Sequence, residues 1–264
     1  MRACFYGLIL NLQFFTVIPV HRDIPMSNKN IRGLIGTLPL LGLLLGVMYS
    51  GITYLLVEVT SLSTLMISFV IWLLAIVLTG AIHIDGWIAT SDAFFSYRDR
   101  KKRLEIMTDP RTGAFGVISV IVLLFTKFLF IYEVMLHLDT STYIFILFIP
   151  FFSRMLTAMM LILIPSAKEE GLGFFFQRAV KKHTLAFYVI YVIPISLILL
   201  LRDFTDVWAV LIMLMATLFI FLFLRKKVLQ WFGGITGDVV GASQEGMEVL
   251  LWMIVWALHS FVMG

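Results

Sequence analysis

Long apolar stretches without charged residues alternate with short polar segments along the chain. Residues 33–57 and 64–82 are the clearest examples. An uncharged run of about 20 residues is long enough to cross a bilayer core as a helix. Because that core holds no water, a helix is the regular way to satisfy the backbone of such a run. The pattern predicts spanning helices near 33–57, 64–84, 115–136, 142–164, 184–201, 207–224 and 247–263.

The N-terminal stretch 3–20 is also apolar and follows a basic start, but it lacks a small-residue cleavage site. We interpret it as a retained segment that either crosses the membrane or lies in its interface as a re-entrant or interfacial helix. No internal repeat, low-complexity segment or long linker interrupts the pattern. The predicted fold class is therefore all-α: one polytopic transmembrane helical bundle of about seven spans, a single domain over residues 1–264.

Composition and charge support a membrane protein with a defined orientation. Hydrophobic residues make up 61% of the chain and charged residues 14%, against roughly 25% charged residues in soluble domains. Sixteen of the twenty lysines and arginines lie in loops 21–32, 85–113, 165–183 and 225–246, which the positive-inside rule places in the cytoplasm. The net charge of +4 is modest, so we expect no nucleic-acid partner. A single cysteine excludes an internal disulfide.

Acidic residues cluster directly after the second predicted span. Asp85 and Asp92 are seven residues apart, so on a helix they share one face. Glu105 and Asp109 are four residues apart, a spacing that would also place them on one helical face. Two such faces can hold a hard divalent cation, and Mg²⁺ suits carboxylate oxygens and substrate phosphates. The alternative is that the acids only balance neighbouring basic residues in a solvated loop, which is our interpretation of Asp99.

Two residues next to the first aspartate are further candidates. His83 can bind a metal, carry a proton or donate to a phosphate, or it can be a satisfied structural residue. Gly86 lacks a side chain, so a phosphate or nucleotide could approach the backbone there.

A second constellation occupies residues 233–245, where Asp238 and Glu245 are again seven apart. Gly237 and Gly241 are four apart, a spacing that permits close helix packing in membranes. We interpret the segment as a third acid-bearing helix that closes the site; helix packing alone would explain the glycines but not the acids. The segment 165–176, with Glu170, is either a mobile loop over the site or a simple connection.

Basic residues inside predicted spans are functional candidates, because an unpaired charge is costly there. Arg154 and Lys127 are the two examples, with a substrate phosphate or Glu133 as their expected partners. The loop arginines that are candidate phosphate contacts are Arg98, Arg103 and Arg111, although loop arginines also set topology.

Three motifs in this order resemble the cobalamin synthase family of adenosylcobinamide-GDP ribazoletransferases. They are HxDGxxxxxD…DRxxRLEIMxDxRxGxFG over residues 83–116, EEGLG at 169–173 and GGITGDxxGAxxE at 233–245. The likeness extends over residues 11–260 and includes LQFFTVIPV at 12–20.

The resemblance implies a magnesium-dependent enzyme of the prokaryotic cytoplasmic membrane, with membrane lipid around it and its site facing the cytoplasm. It implies that adenosylcobinamide-GDP reacts with α-ribazole or α-ribazole 5′-phosphate and that GMP leaves. We assign Asp85 and Asp92 to magnesium, with Glu105 or Asp109 as a further ligand or the base. Asp238 serves the metal or the substrate. The oligomeric state is open, and a homo-oligomer is one alternative.

The sequence departs from the family pattern HxDGxxDTxDG at its centre. Residues 83–93 read HIDGWIATSDA, so Ala89 stands where the pattern has its middle aspartate, and Ala93 stands for a glycine. Position 89 lies at the centre of the face shared by Asp85 and Asp92. The alanine indicates an inactive or weakened form, either a natural variant or a deliberate substitution.

Two other functions fit part of the pattern. A CDP-alcohol phosphotransferase uses a similar acidic motif, but its DxxDGxxAR pattern is not met, because Ile82 and Thr90 occupy the first-acid and arginine positions. An ion-coupled transporter could use the acids as a coupling site. Transporter sites tend to lie at the bilayer midplane in repeated halves, whereas these acids lie at helix ends.

Overall fold

Helices form almost all of the described part of the chain. The computed structural model describes residues 2–180, 184, 188, 191 and 204–263. Its helices are α1 (Arg2–Phe15), α2 (Asn28–Gly36), α3 (Leu38–Val59), α4 (Thr64–Leu78), α5 (Ile82–Phe95), α6 (Arg100–Met107), α7 (Ala114–Leu136), α8 (Thr140–Leu163), α9 (Gly171–Ala179), α10 (Phe204–Phe232) and α11 (Gly237–Leu258), followed by a π-helical turn (His259–Met263). No strand occurs in these residues, and the prediction of an all-α fold is confirmed.

Four of the described helices are long and apolar enough to cross a bilayer: α3, α7, α8 and the Asp206–Phe232 part of α10. The bent pair α4–α5 would make a fifth span. The sequence predicted about seven. Of the remainder, the span expected at 184–201 lies outside the described residues except for positions 184, 188 and 191. The span expected at 247–263 belongs to a helix that already begins at Gly237 and carries three acids.

The N-terminal helix α1 is short for a membrane span. Its 14 residues extend about 21 Å, less than the roughly 30 Å of a hydrocarbon core. Its length therefore favours the interfacial or re-entrant alternative.

The expectation of one continuous helix over 64–84 is wrong. Helix α4 ends at Leu78, and α5 begins at Ile82 after a bend of 83°. Gly80 and Ala81 have positive φ angles of 61° and 56°, a conformation that glycine adopts freely but alanine rarely does. Two consecutive left-handed residues cannot continue a right-handed helix. Asp85 and Asp92 therefore lie on a separate helix, not on an extension of the span.

Small residues allow the helices of the bundle to approach closely. A side chain at Gly42 or Gly46 on α3 would collide with the α8 backbone at Pro150 or Leu147. Polar caps define several helix starts: the side chains of Ser27, Ser63, Asp99 and Asp139 accept backbone N–H groups of the first turns of α2, α4, α6 and α8. Asp99, interpreted as a solvated charge, thus also fixes the start of α6.

Candidate active site

One face of α5 lines a cavity of about 200 Å³, which we call the acid pocket. Asp85, Ala89 and Asp92 all line it, as their spacing of four and three residues on one helix predicts. Asp109 and Arg111 line it from the loop after α6, and Asp238 lines it from the first turn of α11. Four of the predicted carboxylates are therefore brought to one cavity, with the alanine in the middle of the α5 row.

The carboxylate of Asp92 caps the start of α7. Its two oxygens accept the backbone N–H groups of Gly113 and Gly116, each at 2.7 Å. A side chain on either glycine would collide with this carboxylate. Asp92 thus fixes the loop that precedes α7 against α5, and each of its oxygens keeps a further lone pair for another partner.

Glu105 and Asp109 do not share a helical face as the spacing of four suggested. Helix α6 ends at Met107, and Pro110 cannot continue a helix. Glu105 is exposed and pairs with Lys102 at 2.9 Å, and it is not among the residues that line the acid pocket. Asp109 does line the pocket and binds Arg111 at 2.7 Å.

The hydrogen bonds from Arg111 lower the pKa of Asp109 to about 2. Both side chains are accessible to solvent, so this pair orders the loop but contributes little stability. Arg111, predicted as a phosphate contact, is thereby held at the rim of the acid pocket.

Asp238 is brought to the pocket by close packing of α11 on α5. A Cβ atom on Gly86 would lie 2.8 Å from the Asp238 carbonyl oxygen, and one on Gly241 would lie 3.2 Å from His83 Cα. The missing side chain of Gly86 therefore admits the α11 backbone, where the sequence led us to expect a phosphate. Burial first, and then the charge of Asp85, raises the pKa of Asp238.

The donor set of the acid pocket suits a hard cation. Among the described residues, no three acidic, histidine or cysteine side chains converge on one metal position. Mg²⁺ in phosphate-handling sites is held by one or two carboxylates together with substrate oxygens. Burial first, and then the charge of Asp85, raises the pKa of Asp238, so these two carboxylates lie near each other where a cation would neutralise their charge. Three of the aspartates that line the acid pocket, Asp85, Asp92 and Asp238, thus form a donor set that fits Mg²⁺.

A second cavity of about 310 Å³ adjoins the acid pocket and shares Thr108 and Asp238 with it. Its other lining residues come from 166–174 and 235–237, and they include Lys168 and Glu170. The two segments are joined by a bridge between Ser166 and Ile235. The N-termini of α9 and α11 both meet this cavity, and helix N-termini favour anionic groups.

Glu245 lies elsewhere, in a buried charge cluster between α7, α8 and α11. Lys127 Nζ donates to Glu245 at 3.0 Å and to Glu248 at 2.7 Å, and Arg154 Nη1 donates to Glu248 at 3.2 Å. Lys127 is therefore paired with these two acids and not with Glu133. Asp238 and Glu245 share α11 but serve different environments, because only the first turn of the helix reaches the acid pocket.

Arg154 is 1% exposed and lines neither the acid pocket nor the adjoining cavity. The sequence pointed to a phosphate, whereas the structure pairs this arginine with Glu248. Glu248 was missed, although a carboxylate inside a predicted span is a signal in itself.

The remaining predicted residues lie around α5 and α6. His83 is buried and stacks on Phe15 at 5.8 Å between ring centres. Arg98 is exposed and does not line the acid pocket. Arg103 lies over the Phe94 ring at 5.5 Å and donates to the Trp231 carbonyl, which places it on the opposite side of α5 from the acids.

The chain matches the cobalamin-5-phosphate synthase family model over residues 7–256. The chain belongs to this family. Relatives named adenosylcobinamide-GDP ribazoletransferase are similar along their whole length. The one from Geobacillus sp. (strain WCH70) is 38% identical over 265 residues, covering 100% of both chains. The one from Acinetobacter baumannii (strain ACICU) is 32% identical, covering 92% of this chain and 94% of the relative. No solved structure matches.

Membership of the cobalamin-5-phosphate synthase family confirms the resemblance read from the three motifs. All three motifs meet at the two adjoining cavities: residues 83–116 and 233–245 line the acid pocket, and 169–173 lines the second cavity. Thr108 lines both cavities and was not singled out from the sequence. Lys168 lines the second cavity and belongs to the segment 165–176, which was interpreted as either a loop over the site or a connection.

Proposed function

We infer that the chain carries out the reaction in its relatives' name, the late step that completes the nucleotide loop of cobalamin. The adenosylcobinamide phosphate of adenosylcobinamide-GDP is transferred to α-ribazole or to its 5′-phosphate, and GMP is released. The observation that carries the inference is the acid pocket, where motifs characteristic of the family converge on one row of carboxylates.

The transfer is a substitution at phosphorus. A ribose hydroxyl oxygen of α-ribazole bonds to the phosphorus that carries cobinamide, the hydroxyl proton leaves, and the bond to the bridging oxygen breaks. GMP departs with that oxygen and its electron pair. Such reactions depend mainly on positioning and on charge neutralisation.

The residues of the acid pocket divide these tasks. Asp85 and Asp92 would hold Mg²⁺, which when bound neutralises phosphate charge and orients the reacting oxygens. Asp238 is the better proton acceptor because burial raises its pKa. Asp109 is a weak base, since Arg111 lowers its pKa to about 2.

The adjoining cavity is suited to the leaving nucleotide. Lys168 and the N-termini of α9 and α11 line or face it, and both features favour phosphate oxygens. Asp238 and Thr108 stand at the junction of the two cavities, where the bond would break. We place both cavities at the cytoplasmic face, because the loops that build them are the basic loops.

Ala89 is expected to limit this reaction. It lines the acid pocket between Asp85 and Asp92, where a carboxylate would add a ligand or a base. We predict that Ala89→Asp raises the transfer rate on the order of 10²-fold, the scale of one well-placed acid or base.

The experiment is an assay of purified, lipid-reconstituted protein with adenosylcobinamide-GDP, α-ribazole and Mg²⁺, following GMP and the cobamide product by mass spectrometry. Ala89→Asn is the matched control, because it adds similar volume without charge and should not raise the rate. Omission of Mg²⁺ should abolish turnover. Absence of product from both the native and the Ala89→Asp protein would reject the proposed function, and equal rates would reject the role of position 89.

A further inference from the structure

An apolar groove of about 410 Å³ lies on the side of α5 opposite the acids. Its floor is formed by Trp87, Thr90 and Phe94 of α5, and its walls by α10 and α11. On α5 these positions are turned roughly half a revolution from Asp85 and Ala89. The groove is therefore separated from the acid pocket by the body of the helix.

The groove has the length of a lipid chain. Its wall on α10 runs from Ile220 to Phe232, a rise of about 18 Å along a helix. The hydrocarbon half of one leaflet is about 15 Å deep. The Phe223 side chain on this wall is 45% exposed, and α10 is long and apolar enough to span a bilayer. The groove thus opens towards the region where acyl chains lie.

Basic side chains gather at the Trp231 end of the groove. Lys227 Nζ lies 5.4 Å from the centre of the Trp231 ring and 5.8 Å from that of Phe223. Arg103 lies over Phe94, and Arg100 Nε donates to the Gln230 carbonyl at 3.0 Å. Within the described part of the chain, none of these three cations has a carboxylate within ion-pair distance.

Three polar hydrogens along the groove lack an acceptor among the described residues. Trp87 Nε1 and Thr90 Oγ1 belong to side chains that line its floor, and Arg103 Nε lies near its basic end. Buried donors of this kind are normally satisfied by a partner. These three atoms have almost no exposed surface, so a ligand in the groove would contact its apolar walls and its basic rim.

We propose that this groove is a binding site for an anionic phospholipid. One acyl chain lies between α10 and α11, and the phosphate end rests on Lys227, Arg103 and Arg100. The positive rim selects an anionic over a zwitterionic headgroup, because each basic residue near the membrane surface contributes to binding. Since the lipid contacts the reverse side of the helix that carries Asp85, its binding supports the position of that helix.

The test compares lipid binding by native mass spectrometry of the full chain. Phosphatidylglycerol and phosphatidylcholine with identical acyl chains are titrated onto the delipidated protein. We expect tighter retention of phosphatidylglycerol. Lys227→Gln and Arg103→Gln should each weaken that retention about five-fold, with no effect on phosphatidylcholine.

Lys226→Gln is the matched control. It removes the same charge from the neighbouring position of α10, which is exposed and turned away from the groove, so retention should be unchanged. A second variant, Ala242→Phe, fills the groove from α11 and should expel the acyl chain while leaving the rim intact.

Three results would overturn the proposal. Equal retention of the two lipids would show that the groove does not select an anionic headgroup. If Lys226→Gln weakened retention of phosphatidylglycerol as much as Lys227→Gln does, the preference would come from the general positive charge of this surface. Displacement of phosphatidylglycerol by α-ribazole would make the groove a substrate site instead. None of these readouts depends on turnover, so the lipid site and the transferase activity are tested separately.

Discussion

Asp109 and Asp238 line the same pocket with pKa values shifted in opposite directions. Arg111 lowers the pKa of Asp109 to about 2 through direct hydrogen bonds. Burial raises the pKa of Asp238, and the charge of Asp85 adds to the effect. Two chemically identical groups thus differ in acidity: the carboxyl of Asp109 loses its proton more readily than that of Asp238.

The raised pKa of Asp238 predicts a pH-dependent change in stability. A carboxyl whose folded pKa exceeds its unfolded pKa favours folding below the unfolded value, and this contribution is lost as the pH rises through the folded value. Asp238→Asn removes the ionised form, so we expect a higher Tm near neutral pH and little change below about pH 4. Thermal unfolding in micelles without divalent cations measures this.

Asp109→Asn is the control for that experiment, because its pKa is shifted the other way. It should leave the Tm near neutral pH unchanged or slightly lower. A Tm of Asp238→Asn below that of the native chain near neutral pH would contradict the assignment of a strained carboxylate.

Some side-chain positions could be predicted from the sequence, whereas the partners of buried charges could not. The face shared by Asp85 and Asp92 follows from helical periodicity, which is a local property. The partners of Lys127 are 118 and 121 positions away along the chain, and no local pattern encodes that proximity. Glu133 is the nearest acid on the same helix, and the prediction that it pairs with Lys127, which rested on proximity in sequence, is wrong.

At the scale of elements, the junction of α5 and α7 rests on one carboxylate and two glycines. Gly116→Ala would place a methyl group against Asp92 and 2.8 Å from Ile88 Cγ2. We expect a loss of about 1–3 kcal/mol of stability, because the capping hydrogen bond is broken in a buried position. Hydrogen exchange should show faster opening of residues 108–117.

Gly51→Ala on α3 is the matched control, since its new methyl group meets open space. That change should be neutral or stabilise by up to about 1 kcal/mol. If both variants lost similar amounts of stability, the loss would be a general effect of replacing a helix glycine. The contact between Gly116 and Asp92 would then not explain it.

The sequence predicted helix boundaries that depend on the length of an apolar run. It did not predict boundaries that depend on the backbone conformation of single residues. Spans α3, α7 and α8 follow from hydropathy. The bend before α5 depends on left-handed Gly80 and Ala81, and a glycine within an apolar run gives only a weak local signal. The end of α6 before Pro110 carried a clearer signal, and overlooking it produced the wrong pairing of Glu105 with Asp109.

For the molecule as a whole, the buried charge cluster ties three helices together. Lys127 comes from α7, Arg154 from α8, and Glu245 with Glu248 from α11. Two positive and two negative side chains balance one another away from water. Glu248→Gln would leave an uncompensated positive charge, so we expect a loss of about 3–5 kcal/mol. Denaturant unfolding in micelles measures it.

Glu133→Gln is the matched control on α7, because Glu133 is only partly buried and takes no part in the cluster. It should change stability by less than about 0.5 kcal/mol. If Glu248→Gln were equally mild, the cluster would not hold the bundle together.

The 83° bend between α4 and α5 also affects how a large substrate can reach the acids. Because α5 turns away from the axis of α4, its row of carboxylates lines a pocket of about 200 Å³ and not a channel along α4. Under the proposed function, a bulky corrinoid needs to bring only its phosphate tail to this pocket, and the helices need not enclose the ring.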